Sequence, residues 1–409
     1  MQVKTLSVKN LRNLEDQTVE FGDGLNVICG ENGAGKTNLL EALHLCSIGR
    51  SPRTRKDVEL IATGKKNAVA KVHYLRNGLE RSVEVELSTT KNKLVALDGT
   101  PSGKLSDVVG NFASVYFSPD ELNIVRGAPL YRRRFMDIVN CQIGAGYMVA
   151  LRNLQHAIKQ RNSILHGIVN TSRYDTNLLP WDKQISAYSI RVMLRRASFV
   201  RNLDKFGAIA MRILTQNKET LHCTYKTFFD RLSDINVNTF DDEYQKKIRA
   251  AYLKDVANKT TTVGAHLDDF EIKLGYIKED SVVEGRKVEV DKWINVRTSG
   301  SMGQQRTATL ALKIAEMFLY KKYYGEKPVL LLDDVLSELD EDRQRALMDY
   351  CTSFNTIVTC TEWNFDAPPD KMFEVNNGRV QEVKLDNSEK TLIDKTEMEK
   401  AFENVELEE

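Results

Sequence analysis

The chain has 409 residues, 42% hydrophobic and 28% charged, enough to bury a substantial core in two or three lobes. Fifty-eight basic residues stand against 57 acidic ones, so the net charge of +1 excludes a global field for nucleic acid or membrane, and any such surface is local. No apolar run approaches the roughly 20 residues of a membrane helix, the start "MQVKTLSVKN" lacks a signal peptide's apolar region, and the expected compartment is the cytoplasm.

The first stretch reads as strands: "KTLSVKNL" alternates, "QTVEF" and "LNVIC" follow, and "AVAKVHYLRNGLERSVEVELS" predicts a hairpin about Asn77-Gly78. Between them, Gly30-Glu31-Asn32-Gly33-Ala34-Gly35-Lys36-Thr37 matches G-x-x-x-x-G-K-[ST]. It follows the apolar strand and runs into "TNLLEALHLC", which has helical spacing. The glycines let backbone N–H groups face a phosphate, the helix dipole adds positive potential, Lys36 reaches the outer phosphates and the Thr37 hydroxyl ligates Mg²⁺. Arg12 and Asn13 end the first strand near this loop, where nucleotide contact and a plain surface turn are both open. The six cysteines (29, 46, 141, 223, 351, 360) contain no C-x-x-C pair, which argues against a zinc site or a disulfide framework.

From about residue 130 the period changes. "YMVALRNLQHAIKQRNSILHGI" places Leu151, Leu154, Ile158 and Leu165 on one helical face, and after Pro180 Trp181, Ile185, Tyr188 and Val192 repeat the pattern. The break between Gly167 and Pro180, without sustained heptads, excludes a long coiled-coil arm. Basic residues cluster at Arg50, Arg53, Arg55 and Lys56, at Arg132, Arg133 and Arg134, and at Arg191, Arg195, Arg196 and Arg201. Each cluster reads either as a solvated face or as a DNA contact. His266, Asp268 and Asp269 fit capping and ion pairing better than a metal site.

"TSGSMGQQRTATLALKIAE" (298–316) opens a strong helix with a hydroxyl and a close-approach glycine, so Ser301, Gly303 and Gln304 are candidates for gripping a phosphate. The loop of Lys36 already cradles one triphosphate. The expectation is therefore that Ser301 serves the nucleotide of a second copy across an isologous two-fold contact. "VLLLDDVLSELD" is a buried strand delivering Asp333 to hold magnesium through water, with Asp334 next to it to polarise an attacking water. The candidate catalytic set is Asp334, Lys36 and Ser301. Asp340 is either a nucleotide contact or an N-cap. "TIVTC" is a further strand, a hairpin about Asn376-Asn377-Gly378 follows, and the acidic tail from 385 reads as loosely ordered.

Phosphate loop, helical lobe, S-x-G-Q, acidic strand end and SELD stand in the order of the ABC-type ATPases, and the chain resembles the RecF family of bacterial recombination mediators. The resemblance extends to about 384 and includes "NLRN" (10–13), "GRSPRTRKDVELI" (49–61), "FSPDELNIVRGAPLYRRRFMD" (117–137), "WDKQI" (181–185), "TTVGAHLDDFEI" (261–272) and "GQQRTATLALKIAE" (303–316). Pro52, Met302, Ala265 and Leu267 depart from the family's usual Phe, Gln, Pro and Arg. No histidine stands at Thr359, Thr361 or Glu362, where a switch histidine would fall.

The resemblance implies an α/β fold: an ABC-type P-loop ATPase head with a mixed sheet and a β-rich edge, and an inserted, mainly helical lobe II. Lobe I would take residues 1–115 and 301–384, lobe II 116–300, and the tail 385–409. It further implies slow hydrolysis of ATP with Mg²⁺, ATP-dependent homodimerisation, and binding of double-stranded and gapped DNA at single-strand junctions. Partners of the RecO/RecR kind would help to load recombinase, and no membrane would be involved. Other readings remain: the ATPase subunit of a transporter, which shares the three motifs, or a DNA scaffold that holds ATP without hydrolysing it.

Overall fold

The strand "LNVIC" is buried along its whole length, and its place in the sheet explains why. The computed structural model describes residues 1–54, 56–168, 174–229, 239–278, 288–339, 341–365 and 367–385. In chain order, β1 (Gln2–Lys9), β2 (Gln17–Glu20) and β3 (Leu25–Cys29) lead to α1 (Lys36–Ile48). Then come β4 (Asn67–Arg76), β5 (Leu79–Ser88), β6 (Leu94–Leu97), β7 (Thr100–Ser102) and β8 (Ser114–Phe117). The next stretch holds α2 (Asn123–Arg126), α3 (Pro129–Ile143), α4 (Ala145–Gly167), α5 (Leu179–Leu214), β9 (Glu219–Lys226), α6 (Phe240–Ala250), α7 (Tyr252–Asn258), β10 (Asp269–Ile277) and β11 (Val290–Asn295). The chain closes with α8 (Val296–Ser299), α9 (Met302–Tyr324), β12 (Val329–Asp333), α10 (Glu341–Cys351), β13 (Thr356–Thr359), β14 (Lys371–Asn376) and β15 (Arg379–Val383).

Two six-stranded sheets enclose α1. The first, β2-β1-β4-β5-β6-β7, is antiparallel and forms the β-rich edge. Its β4–β5 hairpin turns at Asn77 (φ 49°) and Gly78 (φ 75°), the left-handed pair of a type I′ turn. The second has the order β15-β14-β3-β13-β12-β8, parallel except for the β15 edge. Asn26 registers with Ile357, and Ile357 with Leu331, so strands more than 300 residues apart in sequence are neighbours in one α/β lobe. Layers cover both faces of this sheet, which is why β3 and β12 are buried along their whole length rather than alternating. Leu39, Leu40, Leu43 and Leu45 of α1 pack between the sheets with Ile28, Val72, Val83 and Leu331. On the opposite face, α9 packs with α5, α3, β9 and β10.

Lobe II is less purely helical than the periodicity suggests. Alongside α3 to α7 it contains a three-stranded antiparallel sheet, β11-β10-β9. The alternation of "LHCTYK" and "FEIKLGYI", with Leu221, Cys223, Phe270, Ile272 and Leu274 buried, was visible but short beside the long helical stripes. The strand β8 crosses the 115/116 boundary, because Tyr116 and Phe117 pair with Leu331 and Leu332 of the ATPase sheet. The break near Gly167 is real, α4 ending there and α5 beginning at Leu179 with Pro180 in its first turn. The tail beyond 385 lies outside the described residues.

Buried ion pairs pin lobe II together. Arg161, fully buried, binds Asp182 and Asp255, each at 2.7 Å. Arg196 binds Asp137 at 2.7 Å and the carbonyl of Ala265. Arg132 is bidentate to Asp269 (2.7 and 2.8 Å) and donates to the carbonyls of Ile124 and Gly127. One member of each of two basic clusters is thereby corrected: Arg132 and Arg196 are only 5% and 2% exposed, and their charge is spent inside the lobe.

Candidate nucleotide site

The phosphate loop leaves β3 at Gly30 and enters α1 at Lys36. Gly30 (φ 149°) has no room for a side chain, since a Cβ there would lie 2.4 Å from the Val375 carbonyl of β14. Gly35 (φ 121°) caps the helix start, and a Cβ on it would press on Asn13 Oδ1 at 3.1 Å. Glu31, Asn32 and Gly33 form the exposed tip, and the carbonyl of Ala34 accepts from Gly378 N–H at 2.8 Å. Lys36 is buried, and its ammonium donates to the carbonyls of Gly30 (2.6 Å) and Glu31 (3.0 Å).

Thr37 Oγ1 donates to Asp333 Oδ1 at 2.8 Å across the adjoining ends of α1 and β12. Two more hydroxyls aim Asp333: Tyr116 on Oδ2 at 2.6 Å and Thr359 on Oδ1 at 3.0 Å. Burial, then the Asp333 carboxylate, pushes the Tyr116 phenol well above its ordinary range, so it stays a donor. A hydroxyl and an aimed carboxylate at the mouth of a phosphate loop form a hard oxygen set that fits Mg²⁺. Asp334 takes a left-handed backbone (φ 56°), and its N–H donates to Thr359 Oγ1 at 3.1 Å. Thr359 thus ties both acids to β13. Further along α1, His44 lies against Tyr116, ring centroids 5.2 Å apart.

Asn13 reaches the loop, Nδ2 donating to the Gly33 carbonyl at 3.1 Å and Oδ1 accepting from Asn38 Nδ2 at 2.7 Å. Arg12 does something else. Its guanidinium grips the buried Glu41 of α1 through Nε (2.9 Å) and Nη2 (3.1 Å), and Nη1 donates to the Glu59 carbonyl. It thereby braces the helix behind the loop. Glu41 also accepts from Ser51 Oγ and lies 4.0 Å from Arg53, whose Nη1 donates to Asn38 Oδ1 at 3.1 Å. Arg53, nearly half exposed, therefore borders the phosphate loop rather than a remote face. Lys56 is exposed and pairs with Glu59 at 3.6 Å; Arg55 lies outside the described residues. Arg134 is exposed and donates to the Pro52 carbonyl at 2.7 Å, while the half-buried Arg133 donates to the Asp268 carbonyl.

Ser301 is the N-cap of α9 in a capping box: its Oγ accepts from Gln304 N–H at 3.2 Å and Gln304 Oε1 accepts from Ser301 N–H at 2.9 Å. The remaining donors of the Gln304 amide go to Glu219 (2.7 Å) and the Tyr276 hydroxyl (3.1 Å), so Gln304 anchors the helix start to β9 and β10. Ser301 and Met302 are exposed, and a Cβ on Gly303 would have nothing closer than 3.9 Å. The structure brings residues 30–37, Asn13 and Asp333 together, and gives Ser301 hydrogen bonds within its own helix start. Asp340 lies outside the described residues. In the 261–272 loop, His266 bonds the Thr261 carbonyl, Tyr225 bonds Asp268 and Arg132 holds Asp269; no cluster suited to a metal occurs among the described residues. Tyr116 and Glu41 were missed as site residues, because only the strand order and the turn of α1 bring them there.

A parallel sheet with a phosphate loop on one strand, an acidic strand end two strands away and a capped signature helix entering from a second lobe defines an ABC-type ATPase head. A family model described as an AAA domain matches residues 5–409. The chain is 34% identical over 386 residues to the DNA replication and repair protein RecF of Lachnoclostridium phytofermentans, covering 93% of this chain and 99% of that one. With RecF of Clostridium botulinum strain Loch Maree it shares 31% over 391 residues, 94% of this chain and all of that one. A solved structure of the recombination mediator protein RecF with ATP, in the RecFOR pathway, superposes with a TM-score of 0.83 at 28% identity, over 94% of this chain and 98% of that one. An Smc head domain of Pyrococcus yayanosii, TM-score 0.54 at 13% identity and 99% of both chains, shares the fold. The chain belongs to the RecF family of DNA replication and repair proteins.

Proposed function

We propose that the chain is an ATP-switched recombination mediator that closes on DNA as a homodimer at junctions of single- and double-stranded DNA in gaps. The observation that carries the reading is the pairing of an assembled phosphate loop with a second helix start, capped by Ser301, that lies exposed and bonds within its own helix. The N–H groups of Gly33 to Thr37 and the Lys36 ammonium would hold the triphosphate, and Thr37 with Asp333 would hold Mg²⁺. When bound, Mg²⁺ supplies Lewis-acid charge to the phosphate oxygens. Asp334, fixed through Thr359, would polarise the attacking water, and Ser301 with Gly303 of a second copy would close the site from the other side. Hydrolysis then opens the dimer and releases DNA.

The solved structure of the related recombination mediator RecF with ATP, in the RecFOR pathway, supports ATP as the nucleotide and RecO/RecR-type proteins as partners. Exposed Arg53, Lys56 and Arg134 are the basic residues offered to DNA in this reading. Sedimentation with ATP, with ADP and with neither, repeated with gapped DNA, tests it. A dimer that forms only with ATP and then retains DNA is the expected result; a monomer under all conditions overturns it.

A further inference from the structure

Cys29 and Cys360 are the last residue of β3 and the residue just after β13, and their sulfurs lie 3.5 Å apart. They are opposed on adjacent parallel strands, since Thr359 registers with Ile28 and Cys360 N–H bonds the Ile28 carbonyl at 3.1 Å. Neighbouring strands run roughly 4.8 Å apart, inside the roughly 4.4–6.8 Å that a disulfide requires between Cα atoms. Both residues are thiols, 8% and 7% exposed, at the end of the sheet where the phosphate loop begins. Cys46, by contrast, is wholly buried between the two sheets and donates to the Ala70 carbonyl.

We infer that Cys29 and Cys360 are a peroxide-sensitive dithiol that closes into a disulfide at the base of the phosphate loop and thereby blocks nucleotide binding. The blocking half rests on the ATP reading; the disulfide itself does not. The chemistry needs a hydroperoxide as oxidant. The Cys29 thiolate attacks one oxygen of H₂O₂, the O–O bond breaks, hydroxide leaves, and Cys29 becomes a sulfenic acid. The Cys360 sulfur then attacks that sulfur, and the departing hydroxide takes the Cys360 proton as water. Two thiols and one H₂O₂ give one disulfide and two waters: the sulfurs lose two electrons and the peroxide oxygens gain them.

With Cys360 as the donor across the contact, Cys29 is held below its ordinary range while the same contact and burial push Cys360 up, which makes Cys29 the attacking sulfur. The Lys36 ammonium favours the thiolate at both sulfurs. Closing the bond draws the sulfurs from 3.5 Å to about 2.05 Å. Gly30 follows Cys29 directly and lies close against the Val375 carbonyl of β14. Its carbonyl is also a partner of Lys36, so the distortion falls on the ammonium and on the Thr361–Glu362 segment beyond Cys360.

The test uses the full chain, reduced or treated with H₂O₂. Thiols are counted under denaturing conditions, cysteine peptides are mapped by mass, and binding of a fluorescent ATP analogue is measured before and after dithiothreitol. Peroxide is expected to produce a Cys29–Cys360 linked peptide and loss of analogue binding, both reversed by dithiothreitol. Cys360→Ser should bind the analogue like wild type when reduced and form no linked peptide. Failure to find the linked peptide, or an oxidised chain that binds the analogue as well as the reduced one, overturns the inference. If the reduced chain binds no nucleotide, the ATP reading fails, while the peptide map still decides whether the disulfide forms.

Discussion

Thr37 Oγ1 donates to Asp333 Oδ1 at 2.8 Å although 296 residues separate them, and Tyr116 holds the other carboxylate oxygen at 2.6 Å. Removing one hydrogen bond to a charged group costs about 1.5–3 kcal/mol. Tyr116→Phe should therefore lower the unfolding free energy by about that much and, with Asp333 less firmly aimed, raise the Mg²⁺ concentration that half-saturates ATP turnover. A Mg²⁺ titration that superposes on wild type would remove Tyr116 from the site.

Asp334 stands one residue beyond the strand end, in a left-handed conformation tied to Thr359. Asp334→Asn keeps Asp333 and the same size of side chain, so ATP binding and the dimer should persist while hydrolysis stops. Phosphate release at the wild-type rate would place the water-polarising group elsewhere.

Ser301 caps α9 and, in the proposed dimer, closes the partner's nucleotide site, and different substitutions separate the two. As the N-cap of α9, its replacement by Ala should cost about 1 kcal/mol of unfolding free energy, read by urea denaturation. Ser301→Arg should leave the monomer's ATP affinity near wild type and abolish the ATP-driven dimer. If affinity falls in the isolated monomer, the loop acts on its own chain's nucleotide.

Arg132 and Arg53 belong to different classes despite similar sequence surroundings. Arg132→Ala leaves Asp269 without its partner in a largely buried pair and should destabilise the fold by about 3–5 kcal/mol. Arg53→Ala with Lys56→Ala should fold normally and lower the slope of log DNA affinity against log salt by about two, close to one per lost phosphate contact. Filter binding over a salt series decides it: an unchanged slope makes the patch a solvated face.

His44 is buried in α1 beside Ser114 and Tyr116, and burial, then Lys313 and Arg134, lowers its pKa from 6.5 to about 3. Above pH 6.5 it is neutral in both states and contributes no slope. As the pH falls below 6.5 the unfolded chain takes up a proton that the native chain refuses, so stability is lost at about 1.4 kcal/mol per pH unit from this group alone. Urea unfolding at pH 7 and 5.5 should show that loss in wild type, and a correspondingly smaller one in His44→Gln. Equal losses in both would mean that His44 protonates in the native state.

The phosphate loop, the buried acidic strand, the hairpin at Asn77-Gly78 and the change from a strand to a helix period near residue 130 were legible in the residues themselves. Each is a local rule: backbone freedom at glycine, period-two or 3.6 spacing, and an apolar run bounded by turns. The motif order supplied the resemblance, and with it the expected lobes. Local rules say nothing of which side chains meet across the sheet. That Tyr116 and Thr359 aim Asp333, that Arg12 braces Glu41, and that Arg132 is spent on Asp269 while Arg53 stays exposed depend on strand order and helix packing. The same holds for Cys29 and Cys360, 331 residues apart in a sequence whose cysteine spacing argued against pairing. The parallel register of β3 against β13 alone brings those sulfurs together, because side chains on neighbouring strands meet wherever the hydrogen-bond ladder aligns them, whatever their distance along the chain.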